Sequence, residues 1–183
     1  MECWGTCRCA VFQCTTQSAT EADRERAEDM AQTFKGKPGD LIEIFRDEPY
    51  QHWAVYIGGQ MVVHLVPEGG QSSGSSANPS SSSRAEVKLD KLADVVGSDR
   101  YQVNNLLDDK YKPCDPSIIV KEACERVGRE PKYDLVDYNC EHFANEMRYG
   151  KPESRQVQEL VKAGLVSIFG VSAFGTSASY LAK

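Results

Sequence analysis

Cys140 carries a thiol and stands just ahead of an apolar rhythm in which Phe143 and Met147 are four residues apart. Asn139, before it, is a favoured helix-capping residue, so the spacing predicts a helix whose first turn holds Cys140. Partial positive charge at a helix N-terminus favours thiolate over thiol. A thiolate beside a base is the equipment for covalent acyl chemistry. His52 and His64 stand twelve residues apart, and the elements that carry them decide whether they share a face. His142 stands two residues beyond Cys140, projects elsewhere on the helix and is expected to be structural.

These residues need elements to position them. Pro38-Gly39-Asp40 is turn chemistry, and Leu41–Phe45, Trp53–Ile57 and Met61–Val66 read as strands. The last two predict a hairpin about Gly58-Gly59. Centred on Gly58, it sets the two histidines face to face; centred on Gly59, it makes them diagonal neighbours on one face. A two-residue loop centred between the glycines sends them to opposite faces, so a three-residue turn is expected. Ala85–Leu89 alternates and adds a strand, Leu92–Gly97 is short and ends on glycine, and Tyr101–Val103 is an edge segment. Pro116 opens a helix through Ile118, Ile119, Ala123, Cys124 and Val127 to Gly128, with Cys124 in the core. The Cys140 helix stops near Tyr149-Gly150. The pattern is α+β: an antiparallel sheet packed against helices.

Composition narrows the partners. With 183 residues and a net charge of −6, nucleic acid is excluded as the partner, because phosphate binding needs a basic face. Four of seven cysteines (Cys3, Cys7, Cys9 and Cys14) crowd the start, leaving Cys114, Cys124 and Cys140 in the body. That usage suggests a reducing, cytoplasmic setting without a disulfide scaffold. The early cysteines lack the CxxC spacing and histidines of a zinc site, so no metal is expected; they suit an incidental tail or reversible acylation. Residues 68–83 are glycine and serine without core-formers, predicting a flexible loop. Twenty residues between Lys162 and Lys183 carry no formal charge, which predicts membrane association, spanning or interfacial. Three segments follow: a flexible extension over 1–34, a catalytic domain over 35–152, and a membrane-associating segment over 153–183.

Pro38–Glu43, Tyr50-Gln51-His52-Trp53-Ala54, Asp94–Gly97, Asn139-Cys140-Glu141-His142-Phe143 and Arg148-Tyr149-Gly150 together resemble the phospholipase A/acyltransferase family, relatives of lecithin:retinol acyltransferase. The resemblance runs from about Pro38 to Gly150 and implies a permuted, NlpC-type papain-like fold. It implies that Cys140 is the nucleophile, His52 the general base and acid, and His64 the residue that orients His52. Backbone N–H groups at the helix start, including that of Cys140, are expected to hold the oxyanion, with Gln51 and Tyr50 supporting the base. A base oriented by a second histidine suggests sensitivity to pH near neutrality. Phosphatidylcholine and phosphatidylethanolamine are the implied acyl donors, at a membrane surface. Transfer to water gives phospholipase A1/A2 activity; transfer to a lysophospholipid or to the amine of phosphatidylethanolamine gives acyltransferase activity. No cofactor is needed, and a monomer is expected. The chain departs from the family pattern in its N-terminal extension, its serine-rich stretch and Ala144, where valine is expected. A cysteine peptidase of the same fold and a non-enzymatic, membrane-tethered interaction protein are the alternatives. The apolar tail and lipid-enzyme motif favour the ester over the amide, and the presence of all three catalytic side chains favours an enzyme.

Overall fold

A computed structural model of the protein describes residues 34–46, 51–68 and 83–164, together with Glu21, Ala22, Glu25 and Asp29, which are helical and exposed. The early cysteines, nearly all of the serine-rich stretch, and the uncharged tail from residue 165 onward lie outside the described residues. The chain divides into two units, Met1–Glu153 and Ser154–Lys183.

In the first unit six strands form one antiparallel sheet: β1 (Leu41–Phe45), β2 (His52–Gly58), β3 (Met61–Pro67), β4 (Ser83–Lys91), β5 (Arg100–Val103) and β6 (Lys132–Tyr133), in the order β5-β1-β2-β3-β4-β6. Alternation along the strands divides the apolar residues into two layers. Ile42, Ile44, Ala54, Tyr56 and Val62 meet Leu92, Val95 and Val96 of a short helix, α1 (Leu92–Val96). Trp53, Val55, Val63 and Leu65 meet Ile119 and Ala123 of α2 (Pro116–Arg126) and Phe143, Ala144 and Met147 of α3 (Cys140–Tyr149). Each large side chain fully buried in these layers contributes roughly 2 kcal/mol of transfer free energy. The α+β class and the antiparallel sheet hold. Phe34 packs edge-on against Tyr56, with ring centroids 4.8 Å apart.

The hairpin corrects the turn expected from sequence. Ala54 pairs with His64 and Val55 with Val63, so this ladder centres on Gly59 and the histidines are diagonal neighbours. The turn itself is two residues, Gly59-Gln60, both at positive φ, and the register shifts between Tyr56 and Gly58. The bulge there, with Gly58 at φ +94°, supplies the odd residue that returns both imidazoles to one face. Parity thus comes from a bulge beside a two-residue loop.

Helix α2 starts as its sequence predicts: Asp115 accepts from the Ser117 amide, with Pro116 in the first turn. Its buried face is narrower than the apolar spacing suggests. Ile119 and Ala123 are buried, Cys124 is half-buried rather than core, and Ile118 is 51% exposed. The sheet receives one i,i+4 ridge, and the residues beside it face outward. In the second unit, Ser154 caps α4 (Arg155–Lys162) by accepting from the Val157 amide, and Arg155 and Glu159 pair one turn apart. Among the described residues no helix is long and apolar enough to cross a membrane.

Candidate active site

The helix carrying the thiol is fixed at its first residue. Asn139 stands at the cap of α3, and its side-chain oxygen accepts from the amides of Glu141 (2.9 Å) and His142 (3.1 Å). His142 closes the box: its Nδ1 accepts from the Asn139 amide at 3.1 Å. That is the structural role expected of it, and it leaves Cys140 in the first turn.

The strand carrying the first histidine has its own geometry. Tyr56 exchanges backbone bonds with Gly39 and Asp40, on the side of β1. Backbone groups alternate along a strand, so Gln51 and Trp53 turn theirs toward β3. The β2–β3 ladder, however, ends at Ala54–His64, while β3 continues along β4 to the pair Pro67–Ala85. Cys140 meets β2 beyond the end of that ladder. Its thiol lies 3.6 Å from the Gln51 carbonyl oxygen, to which it donates, and the Trp53 amide donates to the sulfur. These two backbone groups flank His52. The sulfur therefore meets the segment of β2 that carries the first imidazole, from the layer of Trp53 and Phe143.

His52 Nε2 and His64 Nδ1 are 2.8 Å apart, with rings nearly perpendicular. His64 is fully buried. Its other nitrogen, Nε2, lies 2.9 Å from Asp90 Oδ2. Asp90 pairs across the ladder with Val62 and is thus diagonal to His64. Sequence reasoning missed Asp90 because the fourth strand was ended at Leu89, whereas β4 runs to Lys91. Its signal was present: Glu86, Lys88 and Asp90 continue the polar phase of that strand, although alternation alone does not say which histidine they meet.

Burial sets the protonation states. It lowers His52 well below the ordinary histidine value, assisted by the nearby charges of His64 and Arg46. It lowers His64 as well, against the opposing pull of Asp90. Burial also pushes the Cys140 thiol up to about 11; the Trp53, Glu141 and Cys140 amides pull the other way and lose. The thiolate expected from helix position alone is corrected: in a site this dry, desolvation outweighs the helix terminus. The pH sensitivity near neutrality is corrected too, since both histidines are shifted to the acid side. Gln51 presents its side chain to the Arg46 amide at 2.9 Å, while its carbonyl faces the thiol. Tyr50 lies outside the described residues. Among the described residues, no three His, Cys, Asp or Glu side chains converge as metal ligands.

Residues 34–153 match the family model described as lecithin retinol acyltransferase. The human protein named phospholipase A and acyltransferase 3 is 49% identical over 139 residues, covering 75% of this chain and 85% of its own length. Human phospholipase A and acyltransferase 4 is 46% identical over 138 residues, covering 74% and 84%. Human phospholipase A and acyltransferase 1 is 40% identical over 152 residues, covering 78% and 90%. The chain belongs to the lecithin retinol acyltransferase family and, within it, to the phospholipase A and acyltransferases.

Proposed function

We propose that this chain is a thiol phospholipase A and acyltransferase in which residues 35–152 form the catalytic domain. Cys140 is the nucleophile, His52 the general base and acid, and His64 the residue that orients His52. The observation that carries this reading is the thiol set against the backbone groups flanking His52, whose imidazole is bonded to His64. With the thiol raised to about 11 and His52 lowered, the resting pair is thiol and neutral imidazole. The proton therefore moves during attack. Sulfur bonds to the ester carbonyl carbon as the thiol proton passes to His52. The amide of Cys140 at the helix start supplies a donor for the oxyanion. Collapse expels the lysophospholipid oxygen, which takes the proton from His52 and leaves an acyl-thioester. Water then yields a fatty acid, whereas a lysophospholipid hydroxyl or the amine of phosphatidylethanolamine yields the transfer product. Exclusion of water from the buried site favours transfer.

Phosphatidylcholine and phosphatidylethanolamine are the donors we assign, acted on by a monomer at a cytoplasmic membrane surface. The names of the relatives support a phospholipid substrate, and the uncharged run after Lys162 is the feature that suggests the membrane surface. Phosphatidylcholine labelled in one acyl chain should leave label on Cys140, and Cys140→Ser should abolish it. Label from a peptide amide but not from lipid would favour the peptidase, and label from neither the interaction protein. Truncation after Lys162 should release the protein from membranes; unchanged partitioning would remove the anchor from the reading.

A further inference from the structure

We propose that Asp90 is a positioning residue that acts through both imidazoles and thereby sets which nitrogen of His52 receives the thiol proton. The proposal rests on the catalytic reading above and adds a fourth member to it. It follows from counting hydrogens. An ionised carboxylate only accepts, so the 2.9 Å contact requires His64 Nε2 to carry the N–H. A neutral imidazole has one such hydrogen, so His64 Nδ1 is bare and accepts at 2.8 Å from His52 Nε2. His52 then keeps its lone pair on Nδ1. When Nδ1 takes a proton, Nε2 still donates to His64, so both links of the chain survive the step. Were the chain reversed, His52 Nδ1 would already hold its hydrogen and no base would remain.

Placement supports a dedicated role. Asp90 is the polar residue of β4 diagonal to a fully buried histidine, and its side chain is one-third exposed, so it stays solvated while gripping His64. The hydrogen bond to His64 outweighs burial and lowers the Asp90 carboxyl, keeping it an acceptor. The other charges facing this chain are Arg46 and Lys88, both positive, and neither accepts a hydrogen bond from an imidazole.

Ring-nitrogen NMR of the full chain near neutral pH tests this, with turnover of labelled phosphatidylcholine measured beside it. The chain has three histidines, and His142, whose Nδ1 accepts from the Asn139 amide, is an internal control. The wild type should show bare Nδ1 on both His52 and His64. Asp90→Leu should move hydrogen onto Nδ1 of His64, leave His142 unchanged, and lower kcat roughly tenfold to a hundredfold with little change in KM. Asp90→Glu should restore the ring pattern and most of the turnover. A Leu variant with wild-type ring nitrogens would overturn the proposal whether or not turnover fell, since loss without a tautomer change marks a merely structural residue. A wild type that takes no acyl label would instead sink the catalytic reading, while the ring pattern would still decide the hydrogen-bond chain.

Discussion

The two ends of α3 solve opposite problems. At its C-terminal end, Arg148 donates two parallel bonds to Asp108, at 3.0 and 2.9 Å, and a third to the Gly39 carbonyl at 2.7 Å, with Asp40 3.6 Å away. Tyr149 adds its hydroxyl to Asp108 at 2.8 Å. At the N-terminal end the capping box of Asn139 and His142 holds the first turn, and the charge of the buried Glu141 bears on the sulfur. Full charges anchor the end that must not move, because a planar guanidinium fork tolerates little displacement. At the thiol end, burial and then the Glu141 charge push the Cys140 thiol up, where a resident cation would pull it down. One helix thus sets its ion-paired anchor and its buried thiol at opposite ends of about 15 Å, the length of its ten residues.

Breaking the reactive end should have the largest effect on activity and the smallest on folding. Cys140→Ser should lower turnover roughly a thousandfold or more, since an alcohol is a far weaker nucleophile here. Its thermal midpoint should stay close to that of the wild type by calorimetry. Breaking the anchored end should do the reverse. Arg148→Met should cost about 2 kcal/mol in urea unfolding, below the range for a fully buried pair because Asp108 keeps access to water. Arg148→Lys should not restore the loss, since a lysine cannot reproduce the fork. A Lys variant as stable as wild type would show that charge rather than geometry anchors this end.

Asn139→Ala sharpens the contrast by loosening the reactive end without touching the sulfur. Losing the cap should cost about 1 kcal/mol by chemical denaturation. Turnover should fall by more than that stability loss explains, as the first turn no longer holds the thiol against β2. Titration gives the smallest effects. His52 and His64 are lowered on folding, so the unfolded chain binds protons first as pH falls, and stability is lost from about 6.5 downward. Cys140 is raised, so the folded chain holds its proton longer and stability is lost as pH climbs from the ordinary thiol range through about 11. Unfolding measured across pH should therefore show a plateau between these limbs. The acid limb of kcat/KM should lie below the ordinary histidine value, in step with His52. An acid limb at or above 6.5 would contradict a buried, neutral base.

Much of this was legible before any coordinates. The cap at Asn139, the start of α3 and the placing of His52 and His64 on one face follow from local rules, because helix capping and strand alternation depend on neighbours a few residues away; only the register selects the diagonal relation over direct opposition. The bulge at Gly58 was harder to see, since a glycine pair is equally suited to a three-residue turn and to a two-residue turn with a bulge. The helical form of Leu92–Val96 was also hidden, because five residues show too little period to separate helix from strand.

The sequence by itself determined the family, through motifs spread from Pro38 to Gly150, and the helix cap at Asn139, and through that family resemblance it named the side chains proposed to carry chemistry. Only the tertiary structure decided the state those side chains are in. Desolvation and the pairing of β4 with β3 are sums over residues distant in the chain. They raised the thiol of Cys140, lowered both histidines and brought Asp90 to the back of His64. No local pattern encodes such sums, since a group's charge depends on everything that displaces water around it.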